Sequence, residues 1–177
     1  MSTQAVSLTD FLAGAAGSGP VVGVVADRVT TAVFLDALTA DLPDGFELRV
    51  ADGNMLRTRD QIYTEFARIW EFPSHFGRNA DAFDECMRDL DQPHTDSAGT
   101  TPSGYITVIT DAQRMLPGAD STLAWLVESF DFYREHYRDI AEATATFAVI
   151  LVPLATDRAQ VIARWTRAGS TPAEITR

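Results

Sequence analysis

Apolar residues recur along the chain with two periods, one near that of a helix and one near that of a strand, and Gly, Pro and Asp clusters separate the runs. Ser7 stands three residues before Asp10, and Leu8, Phe11 and Leu12 share one side, which predicts a short capped amphipathic helix ended by Gly17-Ser18-Gly19-Pro20. Val21 to Val25 is a β-branched run of strand length, and Val33, Phe34, Leu35 and Leu38 follow with helical spacing before the turn Pro43-Asp44-Gly45. Phe46 to Val50 alternates apolar residues with Glu and Arg, as a half-buried strand does, and Asp52-Gly53 turns the chain. Thr58 and Gln61 form a capping box for a helix whose stripe is Ile62, Phe66, Ile69 and Trp70, and Pro73 stops it.

The second half repeats the alternation. A helix is predicted from about Asn79 to Leu90, a polar loop from Gln92 to Gly104 and a strand from Tyr105 to Ile109. From Ser121 a long helix carries Leu123, Leu126, Val127, Phe130, Tyr133, Tyr137 and Ile140, and Phe147 to Leu151 reads as a fully buried strand. Asp157 with Gln160 caps a last helix through Val161, Ile162 and Trp165, closed by Gly169. Strands alternating with helices imply an α/β layered fold with a mainly parallel sheet of about four strands. One domain is expected over residues 1–177: a core at 46–154, a strand-and-helix extension at 1–45 and a helical extension at 155–177.

Composition narrows the chemistry. With 177 residues and 46% hydrophobic content the chain can bury the core of one ordinary domain, and 22% charged with 10% aromatic residues excludes a disordered chain. The net charge of −11 disfavours direct contact with nucleic acid or an anionic membrane and favours a basic partner. All 14 basic residues are arginine, so no lysine nucleophile or Schiff base is available. The single cysteine, Cys86, forms no internal disulfide. No positively charged region precedes an apolar stretch, the first basic residue being Arg28, and the uncharged run Phe11 to Ala26 is broken by glycines and Pro20; a cytoplasmic location is expected.

The candidate site lies in Phe72 through Leu90. On a helical wheel Phe83, Cys86, Met87 and Leu90 gather on one face, expected to be core, while Asp81, Asp84, Glu85 and Arg88 fall opposite. Three carboxylates pointing outward from two turns repel one another. They read as a solvated face of an acidic protein or as a docking surface for a cationic site. Carboxylates on one straight helix do not surround a metal, and His75 and His94 lack ligand spacing. General acid–base work needs a cleft, which a protruding helix does not supply. Trp70, Trp125 and Trp165 are expected in core or interhelix packing, and Cys86 as a small core residue and not a nucleophile, since no histidine is positioned beside it by the local sequence; no cofactor is expected.

The run Pro73-x-x-Phe76-Gly77-x-Asn79-x-Asp81-Ala82-Phe83-x-x-Cys86-x-x-Asp89-Leu90 resembles the signature of the barstar family of ribonuclease inhibitors, and the order of elements around it agrees over about 110 residues. The resemblance implies an intracellular, non-enzymatic inhibitor or immunity protein. Its partner would be a basic ribonuclease of the barnase type, or another cationic nuclease, plugged by the motif helix and the loop before it. By position, Asp81 and Glu85 match acidic contacts, His75 and Asn79 loop and cap contacts, and Gly77 the turn glycine. Phe76 and Asp84 belong to the same presented segment, and Glu135 matches a peripheral acidic contact on the long helix. Ala80 stands where the family often has a large hydrophobic residue, Asp84 where the founding inhibitor has an aromatic one, and Glu85 where the principal contact is aspartate. These differences fit an alternative, a barstar-fold regulatory module that binds a protein other than a ribonuclease.

Overall fold

The computed structural model describes residues 5–92 and 100–176. Its elements run β1 (Val6–Ser7), α1 (Leu8–Ala16), β2 (Val22–Val25), α2 (Thr31–Asp41), β3 (Phe46–Asp52), α3 (Arg59–Ile69), α4 (Ala80–Arg88), β4 (Gly104–Thr110), α5 (Asp120–Glu135), β5 (Thr146–Val152), α6 (Arg158–Arg167) and β6 (Ala173–Thr176). The loop expected at Gln92 to Gly104 and the histidine His94 fall largely outside the described residues.

The caps form where short-range chemistry placed them. Ser7, Thr30, Thr58 and Asn79 each accept a backbone N–H two or three positions into the following helix, satisfying donors that have no partner inside the helix. Gln61 reaches back to the N–H of Arg57, one residue before the cap. Asp157 is a correction: it precedes α6 but its side chain caps nothing. Asp120, one residue earlier than expected, begins α5, which continues through a single π-turn at His136–Ile140.

All strand pairs are parallel, in the order β1-β6-β2-β5-β4-β3. Six strands replace the four expected, because β1 has two residues and β6 spells Ala-Glu-Ile-Thr, too short and too polar to announce themselves. The C-terminal extension is therefore a helix followed by a strand. Helices cover both faces, as parallel sheets require. Ile62, Phe66, Phe83, Met87, Leu126, Phe130 and Trp165 of α3 to α6 pack on one face, against Ala51, Tyr105, Phe147 and Val149. Phe11, Leu12, Phe34 and Leu38 of α1 and α2 pack on the other, against Ile106, Val108, Ala148 and Ile150. Gly104 lets the Phe46 ring lie across β4, since a Cβ there would stand 2.2 Å from it.

The added strands are tied to the rest by arginines. Arg134 and Arg138 of the α5 end donate to the carbonyls of Gly19 at 2.9 Å and Gly17 at 2.8 Å, satisfying groups left open where α1 ends. Arg158 of α6 donates to the carbonyl of Ala26, just past β2. Among the described residues no helix is long and apolar enough to cross a membrane.

Candidate functional site

The segment between α3 and α4 is held from several sides. Phe76 donates its N–H to the carbonyl of Pro73 at 2.9 Å, and its half-buried ring meets the edges of Phe72 and Tyr63 with centroids 5.1 and 6.1 Å apart. Arg78, in the left-handed region at φ 51°, donates to Asp60 Oδ1 at 2.8 Å and to Thr64 Oγ1 at 2.7 Å, pinning the loop to α3. Asn79 accepts the N–H of Ala82 at 2.9 Å and starts α4. His75 and Gly77 are exposed at the loop surface.

On α4, Phe83 and Met87 are fully buried and define the inward direction. At about 100° per residue Cys86 and Asp84 lie on opposite flanks of that direction, each roughly 80° from it, while Asp81 and Glu85 point nearly away. The structure follows this geometry and corrects two expectations. Asp84 does not face outward: half-buried, it turns to α5 and accepts a short hydrogen bond from the hydroxyl of Tyr133. Cys86 is not core: half-buried, it lines a groove, and burial, then the nearby Glu85 and Asp89, push its thiol pKa up, which suppresses the reactive thiolate.

That groove, of about 450 Å³, runs between the loop and α4. Trp70, Glu71, Phe72, His75, Phe76 and Gly77 form one wall and Ala82, Glu85, Cys86 and Asp89 the other, with Leu90 and Gln92 at the end. The expectation that the motif helix supplies no cleft is thereby corrected. Of the residues singled out from the sequence, the groove brings together His75, Phe76, Gly77 and Glu85. Asn79, Asp81 and Asp84 stand on the same segment outside the lining. Glu135 is exposed at the end of α5 and makes no hydrogen bond to α4. Sequence reasoning missed Glu71 and the groove-lining position of Trp70, both of which depend on the chain folding back after α3 through Glu71 at φ 52°.

Charge on this surface is unbalanced. Among the described residues no ion pair involves Asp81, Glu85 or Asp89. Arg88 is drawn away, donating to the carbonyl of Asp84 at 3.2 Å with its guanidinium 5.6 Å from the Phe132 ring centre. Three α5-side groups grip α4 from behind. Besides Tyr133, Tyr137 donates to the carbonyl of Met87 at 2.6 Å and accepts the N–H of Leu90 at 3.1 Å, and His136 Nε2 lies 3.1 Å from the carbonyl of Arg88. The helix is thus fixed within the folded chain by these three groups. Trp70 and Trp165 are buried, Trp70 donating to Thr107 Oγ1 at 3.2 Å, and Trp125 is half-buried beneath the Arg59 guanidinium.

Tyr133→Phe tests the grip. It leaves a half-buried carboxylate without its donor and is expected to cost about 1–3 kcal/mol in urea denaturation. Asp84→Asn, which keeps an acceptor, is expected to cost less.

A family model described as Barstar (barnase inhibitor) matches residues 46–152. No curated protein matches the chain. Among solved structures, Cdc6p from Pyrobaculum aerophilum is similar with a TM-score of 0.50 and 17% identity, over 86% of this chain and 38% of that one. The ORC2 protein of Aeropyrum pernix, in ADPNP-ADP complexes, gives 0.49 and 15%, over 95% of this chain and 44% of that one. The chain spans less than half the length of either, and the likeness to Cdc6p is one of fold. The family match ends at β5 and takes in β3, β4 and β5; β2, β6 and β1 continue the sheet beyond it.

Proposed function

The chain belongs to the barstar family, and from that premise we propose that it inhibits a small basic ribonuclease of the barnase type by seating α4 and the loop before it in the nuclease active site. The observation that carries the reading is the set Asp81, Glu85 and Asp89, three carboxylates that form no ion pair among the described residues, on and at the end of one rigidly held helix beside a groove. Acids on a rigid helix are suited to replace substrate phosphates in a cationic site, because the backbone that carries them is already ordered by folding. His75, Phe76, Gly77 and Asn79 would supply the loop contacts and the helix start. Asp84 would act from behind by orienting α4, and Glu135 would meet the partner only at its periphery.

Occlusion requires no turnover by the inhibitor. Titrating a barnase-type ribonuclease with the pure protein is expected to abolish RNA cleavage at one equivalent, and the association rate should fall as ionic strength rises. No inhibition of that nuclease at stoichiometric excess removes that partner. Failure against a panel of cationic nucleases removes the class and leaves the regulatory-module reading.

A further inference from the structure

Among the described residues, β3 closes one side of the sheet and pairs with β4 alone. Gly45 O accepts from the N–H of Ser103 at 2.9 Å and Ala51 O from Thr110 Oγ1 at 3.3 Å, so the odd-numbered carbonyls face β4. Carbonyl directions alternate along a strand, which turns the peptide groups of Phe46, Leu48 and Val50 outward. Among the described residues, that edge receives only local bonds: Phe46 N–H to Pro43 O, and the strand's own Arg49 guanidinium to Leu48 O. A seven-residue edge without proline is a template for a further strand.

The side chains say which strand fits. Glu47 and Arg49 lie on the α3 face, where Arg49 Nε donates to the carbonyl of Ile69 at 2.8 Å. Phe46, Leu48 and Val50 lie on the opposite face, Val50 38% exposed. A second copy running antiparallel across a two-fold axis must match outward peptide groups with outward ones, which puts the axis through a residue; one through Val50 sets Leu48 against Asp52 and Arg49 against Ala51, and axes nearer either end leave few pairs, so the axes to compare pass through residue 47, 48 or 49. An axis at 47 sets Glu47 against Glu47, and one at 49 sets Arg49 against Arg49. The axis at Leu48 sets Glu47 of each copy against Arg49 of the other, Leu48 against Leu48, and Phe46 against Val50. Charge and apolar matching thus agree on one register.

We infer that the protein self-associates as a two-fold dimer through antiparallel pairing of β3 about Leu48, joining the two sheets into one. Sedimentation equilibrium across the micromolar range is expected to show a dimer for the native sequence. Glu47→Arg and Arg49→Glu each bring like charges together twice and are expected to raise the dissociation constant by about tenfold or more. An equimolar mixture of the two variants restores opposite charges at both positions and is expected to form a mixed dimer. If Arg49→Glu fails to fold, Glu47→Arg alone, which gives up the pairing of Glu47 with Arg49, still has to dissociate the dimer. A native protein that stays monomeric overturns the inference, as do single variants that dimerise unchanged or a mixture of folded variants that stays monomeric. None of these readouts depends on a nuclease.

Discussion

Glu85→Ala is expected to weaken the proposed complex with a basic ribonuclease by about 2–5 kcal/mol, a loss on the order of thirtyfold to several thousandfold in affinity. Glu85 stands nearly opposite the buried direction of α4, in its second turn, on the rim of the groove and, among the described residues, without an ion pair. At the centre of an interface its carboxylate would be desolvated, and truncation would leave the cations that faced it buried and unpaired. The loss should therefore appear mainly in the dissociation rate. Asp81 lies in the first turn and Asp89 at the C-terminal end of the helix. As rim charges, their alanine variants are expected to lose less than about 1 kcal/mol, chiefly through a slower and less salt-sensitive association. All three side chains are exposed, so unfolding midpoints should hardly move. Surface-binding kinetics on the three variants decides the matter: equal small effects at Glu85 and Asp89 would mean that α4 is not the binding element.

Alkaline pH is expected to unfold the protein steeply above about pH 10. Tyr105, Tyr133 and Tyr137 are fully buried, and burial is the first cause of the upward shift of all three phenols. The carboxylate of Asp84 raises Tyr133 further, and Asp91 raises Tyr105, whereas the Leu90 N–H partly opposes the shift at Tyr137. Below an unfolded-state pKa of about 10, folded and unfolded chains hold the same phenolic protons and stability is unaffected. Above it the unfolded chain releases protons that the folded chain retains, so stability falls as pH rises. Each retained proton contributes a slope of about 1.4 kcal/mol per pH unit, so Tyr133 and Tyr137 with or without Tyr105 give about 3–4 kcal/mol per unit. Denaturation midpoints measured between pH 9 and 11.5 test this, and the Tyr133→Phe, Tyr137→Phe double variant should show a shallower decline. Equal stability at pH 9 and 11 would refute it. Because unfolding dismantles α4 and the loop before it, the proposed inhibition should be lost over the same range.

How far the site was legible follows from how local each feature is. The turn, the cap and the carboxylates of residues 73–90 could be recognised because each depends on neighbours a few positions away. Asn79 caps Ala82 three residues on, and Asp81 and Glu85 stay outward because Phe83 and Met87 are apolar at the spacing that buries them. The same wheel misjudged the flanks, where direction depends on what packs alongside. Asp84 turns inward because Tyr133, 49 positions later, lies beside it, and Cys86 opens into a groove because Trp70 to Gly77 fold back past it rather than over it.

The sequence by itself determined the alternation of strands and helices, the core faces, the family and the excess of negative charge, all properties of composition or of short windows of chain. Only the tertiary structure decided that β1 and β6, two and four residues long, pair as strands. Val6 lies opposite Ile175, so the hydrogen bonds that define them come from the far end of the chain and leave no local periodicity. The tertiary structure also decided which acids are engaged within the chain, because an ion pair or hydrogen bond depends on distance in space: α5 reaches Asp84, whereas among the described residues Asp81, Glu85 and Asp89 form no ion pair.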